Sequence, residues 1–353
     1  MPLGKLILTA AILVFVGRQF YRDLQRPELW DRSFEFGWLG LSGLLYLFGL
    51  GFSAFFWIRL LQFVGQRPEY LQAVRAYYLG HFGKYLPGKA WALFLRASLA
   101  RSPGVRPGIA GVTAFYEVLT TMASGVLLAA ILFYFLGTET SSPSGRTTFR
   151  RLFSLEEASS SVVDQKALIS MSAVLFAILG IPIFPAIYNR LVFRLSLPFR
   201  GRSSPPPPRI PMWAYVEGLV VIAGGWLLLG ASLWAVLVTV TGQNHPLSWE
   251  SWGRYSAFLS LAYVLGFVVV PVPNGLGVRE YFLTVFLTPE LISRYDLEEA
   301  RARSHAACTR SSASVADPVK PRAKRRSREA ISELRRWSAD RTERRQAWVQ
   351  CAY

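Results

Sequence analysis

Long, nearly uncharged runs separated by short basic loops dominate the hydrophobic pattern of this chain. Phe36–Ile58, Ala167–Tyr188 and Gly218–Val240 contain no charged residue, and Ile109–Leu136 contains only Glu117. A helix needs about 20 apolar residues to cross a bilayer. Each of these runs therefore predicts a membrane-spanning helix.

Two further runs extend the pattern towards both ends of the chain. Leu6–Gly17 is uncharged, and Tyr255–Val272 is uncharged as well. The first run also fits a signal peptide, but no small-residue cleavage signal follows it and Arg18 closes it, which favours a short span. We expect an all-α polytopic bundle of about six spanning helices, near residues 3–17, 36–58, 109–136, 167–188, 213–240 and 255–272.

One broken segment interrupts the apolar pattern in each half of the chain, at 70–100 and at 271–288. The first holds the sequence GKYLPGKAW at Gly83–Trp91, and the second holds PVPNGLGVRE at Pro271–Glu280. Proline biases the residue before it away from helical backbone angles, and glycine permits a turn. A Pro/Gly-interrupted segment in each half is typical of a transporter with a binding site at the bilayer midplane.

The charges of the loops predict an orientation, because cytoplasmic loops are rich in Lys and Arg. Arg59, Arg67 and Arg75 face only one acid, Glu69, while the 189–209 loop has five arginines and no acid. These loops and both termini are therefore predicted to be cytoplasmic. For the alternation to hold, the 70–100 segment must enter and leave on one side, as a re-entrant hairpin does.

Composition supports the membrane class and separates a basic tail from the body. The chain is 52% hydrophobic, 14% aromatic and only 17% charged. Residues 301–353 carry 14 Lys and Arg against five acids, a net of +9 in a chain of net +17. We expect an integral membrane domain over 1–292 and a disordered cytoplasmic tail over 293–353. Anionic lipid headgroups explain the loop charges at least as well as nucleic acid does, and we expect membrane lipids rather than nucleic acid as partners.

Lys84 and Lys89 flank the first break, and Arg96 follows it. Ammonium groups beside free helix-end N–H groups would bind a phosphate or carboxylate. Equally, the lysines could be snorkelling anchors that only fix the depth of a hairpin. The rings of Tyr77, Tyr78, Tyr85 and Trp91 fit either interpretation, because such rings favour the headgroup level.

Glu117 is the acid most deeply placed in a predicted span, roughly 12 Å from its start at the helical rise. An intramembrane carboxylate indicates proton coupling or a functional salt bridge. The alternative is a structural pair with Lys84, Lys89 or Arg279. Arg279 and Glu280 also fit a local ion pair, with nearby glycines that allow close approach of a ligand.

The candidate sites contain no recognisable catalytic or metal motif. The three histidines have no paired spacing, and the only cysteines, Cys308 and Cys351, lie in the tail. We therefore expect no cofactor and no metal. The candidate headgroup or cavity residues are Lys84, Tyr85, Lys89, Arg96, Glu117, Arg279 and Glu280, and the helix-break residues are Pro87, Gly88, Pro273, Gly275 and Gly277.

Two ordered motifs in this sequence resemble those of a known family. The sequence YYLGHFGKYLPGKAW at Tyr77–Trp91 and VPNGLGVRE at Val272–Glu280 are similar to R/K-Y-[LI]-P-G-K-x-W and P-G-G-[LI]-G-x-R-E of the lysylphosphatidylglycerol synthase transmembrane-region family. Asn274 replaces the usual first glycine of the second pattern. The resemblance covers roughly residues 5–290 and implies a flippase-like protein of the inner or plasma membrane with re-entrant helices.

The resemblance also bounds the expected function. Members with synthase activity carry a soluble aminoacyl-transferase domain, which this sequence does not show, so only the membrane half is implied. Members usually continue past the second motif with hydrophobic helix, where this chain has its basic tail. A shifted reading frame is one explanation.

We therefore expect translocation or binding of an anionic or zwitterionic phospholipid or lipid-linked molecule. A membrane enzyme or enzyme subunit in aminoacyl-lipid or lipid-linked sugar synthesis is the alternative, and a structural partner of another membrane protein is a third hypothesis. The sequence does not specify the lipid, the direction and energy source of transport, or the oligomeric state.

Overall fold

A computed structural model describes residues 36–85, 91–101, 104–137, 165–196, 209–241, 248–268 and 277–291, together with the single positions 18 and 21. These residues are all-α, and none of them lies in a strand. The helices are α1 (Phe36–Phe63), α2 (Tyr70–His81), α3 (Trp91–Leu99), α4 (Pro107–Leu136), α5 (Gln165–Ile183), α6 (Pro185–Ser196), α7 (Met212–Thr241), α8 (Trp249–Val268) and α9 (278–291), with a 3₁₀ turn at Phe82–Tyr85.

Four of these helices, α1, α4, α5 and α7, are long and apolar enough to cross a membrane. Their outward faces carry large apolar side chains, such as Phe48 and Phe135, which are 67% and 75% exposed. An exposed apolar surface of this extent suits lipid rather than water. The predicted helical bundle is therefore confirmed as a fold class, with the features that an integral membrane protein requires.

The predicted spans at the two ends of the series are not among these four helices. Residues 3–17 lie outside the described residues. The predicted span 255–272 corresponds to α8, which begins earlier, at Trp249, and is described as far as Val268. Glu250 and Arg254 in its first turns lower the mean hydropathy of α8, which is not among the four long apolar helices.

Small residues set the closest helix contacts in the bundle. A Cβ atom added at Gly49 of α1 would lie 3.1 Å from the Gly225 carbonyl oxygen of α7. One added at Gly125 of α4 would lie 2.9 Å from the Trp226 ring. Since lipid supplies no hydrophobic drive between helices, close backbone approach through small residues is the usual basis of packing. Helix α7 is thereby held against both α1 and α4.

The predicted span 167–188 is wrong as a continuous helix. Helix α5 ends at Ile183, Phe184 forms a bend, and α6 starts at Pro185. Proline lacks an N–H group and clashes with the preceding turn, so Pro182 and Pro185 end one helix and start the next. Part of the predicted 189–209 loop is therefore helical.

Helices α2 and α3 form a hairpin whose two ends lie together. The Arg67 N–H donates to the Gly104 carbonyl at 3.0 Å, and the Arg106 N–H donates to the Gln66 side chain at 2.9 Å. The Gln72 side chain also donates to the Arg101 carbonyl at 3.1 Å. The segment thus leaves and rejoins the bundle at one place, which is the geometry a same-side hairpin needs.

Charge is distributed unequally between the two ends of the bundle. One end, where α1 stops and α4 and α7 start, is called the basic end here. Its exposed arginines are Arg67, Arg75, Arg101, Arg106, Arg190, Arg194 and Arg209, and its nearby acids are Glu69 and Glu217. The charges described at the opposite end include Lys166, Glu250 and Arg254.

By compactness the chain divides into two units, residues 1–149 with 162–289, and residues 150–161 with 290–353. The first unit holds α1 to α8 and most of α9. The second lies almost entirely outside the described residues. The boundary proposed from sequence between a membrane domain and a tail, at residue 293, therefore stays a prediction.

Candidate functional site

A buried ion pair joins the hairpin to the long apolar helix α4. Arg96 of α3 donates from Nη1 to Glu117 Oε2 of α4 at 2.5 Å. Their side chains are only 4% and 2% exposed. Removing two charges from water is expensive, and attraction offsets this penalty only when further hydrogen bonds satisfy the groups.

Two hydroxyl groups supply those further bonds to Glu117. Tyr77 of α2 and Thr121, one turn along α4, each donate to Glu117 Oε1 at 3.1 Å. Both carboxylate oxygens therefore accept hydrogen bonds inside the protein. These hydrogen bonds offset part of the cost of burying the carboxylate.

Aromatic rings enclose the Arg96 guanidinium. Its carbon Cζ lies 4.1 Å from the centre of the Tyr77 ring and 6.0 Å from that of Trp57 on α1. Trp57 is itself fixed, because its indole N–H donates to the Thr113 hydroxyl at 3.2 Å. Cation–π contacts of this kind strengthen when the cation is desolvated. The Arg96 Nε atom is buried and has no hydrogen-bond partner.

Two glycines of the first motif allow the hairpin to close around Arg96. A Cβ atom at Gly80 would lie 2.5 Å from Arg96 Cγ, and one at Gly83 would lie 2.7 Å from Ala92 Cα. Real Cβ atoms essentially never approach so closely. The two glycines therefore allow α3 to pack closely against α2, and this packing directs the Arg96 side chain towards Glu117.

The second motif ends in a helix start that holds another arginine. Gly277 has φ of +83°, a conformation that glycine adopts readily. Its N–H donates to Glu280 Oε2 at 2.8 Å, and the Arg279 guanidinium donates to Glu280 Oε1. Glu280 therefore caps the N-terminus of α9, as an acid at this position commonly does, and pairs with Arg279 at the same time. The predicted local ion pair is confirmed.

Tyr263 of α8 interacts with both arginines. Arg279 Cζ is 5.6 Å from the centre of the Tyr263 ring. Arg96 and Arg279 are both within electrostatic range of this tyrosine. Residues from both halves of the sequence are therefore brought to one region of the bundle, which links the Arg96 and Glu117 pair to the second motif.

The structure describes only some of the remaining predicted residues. Lys84 and Tyr85 lie in the 3₁₀ turn at the end of α2. Lys89, Pro87, Gly88, Pro273 and Gly275 lie outside the described residues, so their roles stay predictions.

Two interpretations need correction. The described partner of Glu117 is Arg96, whereas the sequence suggested Lys84, Lys89 or Arg279. Tyr77 is 2% exposed rather than at the headgroup level, because its hydroxyl group is directed to Glu117.

Sequence reasoning did not identify Trp57 and Thr121 as members of the site. Thr121 lies four residues after Glu117, which puts the two side chains on one helix face, so this signal was present. The position of Trp57 depends on contacts between distant segments and has no local signal. A second interhelical pair was also missed: Arg59 of α1, counted from the sequence only as a loop charge, donates from Nε to Glu217 of α7 at 3.1 Å.

Comparisons with known proteins give no further identification. No family model matches this sequence, and no curated protein matches it significantly. Within the described residues, no group of three or more His, Cys, Asp or Glu side chains could hold a metal ion. The functional proposal therefore rests on the residues of the site and their contacts.

Proposed function

We propose that this chain is a flippase-like membrane protein that binds and translocates an anionic or zwitterionic lipid, or a lipid-linked molecule with the same headgroup chemistry. The observation that carries the proposal is the buried pair of Arg96 and Glu117. Ionisable residues at membrane depth are rare and usually mark a substrate or ion pathway. Well-packed apolar residues would stabilise such a site as well as a buried pair does, or better.

Arg96 has the properties of a phosphate-binding residue whose guanidinium is occupied by Glu117 in the absence of lipid. A guanidinium presents a planar fork of donors that matches a phosphate, and it stays charged when buried. Glu117 occupies that fork when no lipid is bound. An arriving phosphate exchanges with the carboxylate, and Tyr77 and Thr121 keep hydrogen bonds on Glu117 while Arg96 is engaged. The exchange gives Arg96 a new anionic partner, while Glu117 keeps its two hydrogen bonds.

The second motif supports the same function from the other half of the chain. Arg279 pairs with Glu280, and its side chain is 29% exposed, against 4% for Arg96. Arg279 is therefore the more accessible of the two arginines. A headgroup would first contact Arg279 and then Arg96, with Tyr263 near both. Lys84 and Lys89, in the adjoining first break, would add positive charge along this path.

We place the protein in the inner or plasma membrane with its basic end in the cytoplasm. Positively charged loops favour the cytoplasmic side, and the exposed arginines of this end outnumber its acids. The N-terminus and the tail would then also be cytoplasmic. Cysteine labelling of intact cells, at positions added to the loops of each end, tests this orientation.

A scrambling assay tests the translocation proposal. The purified chain is reconstituted in proteoliposomes with fluorescent phosphatidylglycerol or phosphatidylcholine, and dithionite reports the fraction of label that reaches the outer leaflet. We expect Arg96→Met with Glu117→Leu, which replaces the pair by apolar side chains, to remove protein-dependent scrambling. Lys84→Ala with Lys89→Ala should slow it, and the control Arg59→Gln should leave it unchanged.

Two outcomes would contradict the proposal. Wild-type protein that does not move any labelled lipid would exclude scrambling of these lipids. A double variant of Arg96 and Glu117 that is folded and fully active would remove the pair from the mechanism. Lipid analysis of a deletion strain separates the enzyme alternative, because loss of a lipid product indicates synthesis, whereas a changed leaflet distribution at constant amount indicates translocation.

A further inference from the structure

Helix α6 has an unusual division of its surface. Its inward residues Pro185 and Tyr188 are buried, while Ile187, Leu191 and Phe193 are each 43–44% exposed. Arg190 and Arg194 are exposed one helical turn apart. A twelve-residue helix is too short to span a membrane, and a helix with apolar and basic residues on its outer surface is typical of the membrane interface.

The rest of the chain holds α6 in a fixed orientation. The Tyr188 hydroxyl donates to the Val112 carbonyl of α4 at 2.8 Å, and its ring packs edge-on against Tyr116 at 4.7 Å. Asn189 exchanges two hydrogen bonds with the backbone of Ile210, at 3.0 and 2.9 Å. These contacts fix one face against the bundle, so the face with the arginines is directed away from it.

The position of α6 brings its arginines close to one leaflet. Val112 lies near the start of α4 and Ile210 lies just before α7, so α6 belongs to the basic end of the bundle. Neither Arg190 nor Arg194 forms an ion pair with any residue that the structure describes. No Asp or Glu occurs between residues 185 and 216, and Arg200, Arg202 and Arg209 follow in the sequence.

We propose that α6 is a second lipid-binding surface, separate from the Arg96 and Glu117 site, which selects anionic phospholipids of the adjacent leaflet. Ile187 and Leu191, four residues apart, share a flank that enters the acyl-chain region. Arg190 and Arg194 bind the phosphate and the net negative charge of headgroups above it. Each basic residue near an anionic leaflet adds a similar increment of affinity. The proposal does not depend on translocation.

Quenching by brominated lipids tests whether anionic lipid accumulates beside α6. In a background with Cys308→Ser and Cys351→Ser, Leu191→Cys is labelled with a small fluorophore and the full chain is placed in nanodiscs of mixed phosphatidylglycerol and phosphatidylcholine. We expect brominated phosphatidylglycerol to quench the label at least twofold more than brominated phosphatidylcholine at equal mole fraction. A label at Phe135→Cys, exposed at the opposite end of α4, should show no preference.

Charge-matched variants show whether the α6 arginines cause the preference. Arg190→Gln with Arg194→Gln should abolish it and weaken the apparent affinity for phosphatidylglycerol about 10- to 30-fold. Arg75→Gln with Arg101→Gln, which removes the same charge from the same end, should retain it. Circular dichroism and size-exclusion chromatography show that each variant is folded.

Three results would overturn the assignment. Equal quenching by both lipids at position 191 of the otherwise unaltered protein would show that α6 does not select lipid. A preference that survives removal of Arg190 and Arg194 would place the selectivity elsewhere. An equal loss in the control pair would show a general effect of net charge. Scrambling, measured on the same samples, is expected to continue in the α6 variant, which keeps this result separate from the proposed translocation site.

Discussion

Two interhelical arginine–glutamate pairs among the residues that the structure describes differ mainly in their access to solvent. Arg96 and Glu117 are 4% and 2% exposed, while Arg59 and Glu217 are 37% and 21% exposed. Arg59 also lies over the rings of Phe63 and Trp213, at 4.8 and 5.7 Å, as an interfacial anchor does. The same two residue types thus form a buried ion pair in one place and a partly exposed ion pair at the helix ends in the other. The extent of burial, rather than the residue type, distinguishes the candidate functional pair from a pair that only joins two helices.

The largest expected effect comes from removing one charge of the buried Arg96 and Glu117 pair, which leaves the other charge without a partner. Glu117→Leu should lower the free energy of unfolding by about 3–5 kcal/mol, because Arg96 would stay buried without a counter-ion. Thermal unfolding in detergent micelles measures the loss. Adding Arg96→Met to this variant should restore stability to the wild-type level or above, since both charges are then gone. If the double variant were as unstable as the single one, the pair would be stabilising rather than functional.

A smaller effect is expected from disturbing the approach of α3 without touching a charge. Gly80→Ala should cost about 1–3 kcal/mol, because the added methyl group overlaps Arg96 Cγ and must displace it. The control is Gly111→Ala on α4, whose new Cβ would meet Ala97 Cβ at an ordinary 3.8 Å. Unfolding of both variants, with scrambling as a second readout, checks the difference. Equal stability of the two would contradict the close packing inferred for the hairpin.

The smallest effect is expected at the exposed pair. Arg59→Gln should change stability by less than about 1 kcal/mol, because water screens a half-exposed pair and the released carboxylate is rehydrated. The loss should shrink further in 0.5 M salt, whereas the loss caused by Glu117→Leu should be insensitive to salt. The free energy of unfolding of both variants, measured at low salt and at 0.5 M salt, tests this difference. A salt-independent loss of several kcal/mol would place Arg59 in the same class as Arg96.

The sequence predicted the long helices well because length and hydropathy alone define a span. It also singled out Glu117, since an acid inside an apolar run is visible without any knowledge of packing. The partner of Glu117 was not predictable in the same way. Arg96 lies 21 residues away, and the two meet only because Gly80 and Gly83 let the hairpin fold tightly against itself.

The bend at Phe184 shows another limit of hydropathy. Residues 167–188 are uniformly apolar, so a count of apolar residues predicts one span, although Pro182 and Pro185 already signal an interruption. Tyr77 illustrates the same limit for single side chains. Its ring suits the headgroup level by composition, but a buried carboxylate within reach makes the interior the better place for its hydroxyl group.

The contact between α1 and α7 bears on which parts of the protein can move. Ser42 and Ser232 donate to each other's backbone carbonyls at 3.0 Å, and their hydroxyl oxygens are 2.9 Å apart. Sliding of one helix along the other would break these bonds together and force Gly49 out of its contact with Gly225. We therefore expect α1 and α7 to behave as a rigid frame throughout any transport cycle. Any moving component would then lie outside this frame, and the hairpin that carries Arg96 is the first candidate.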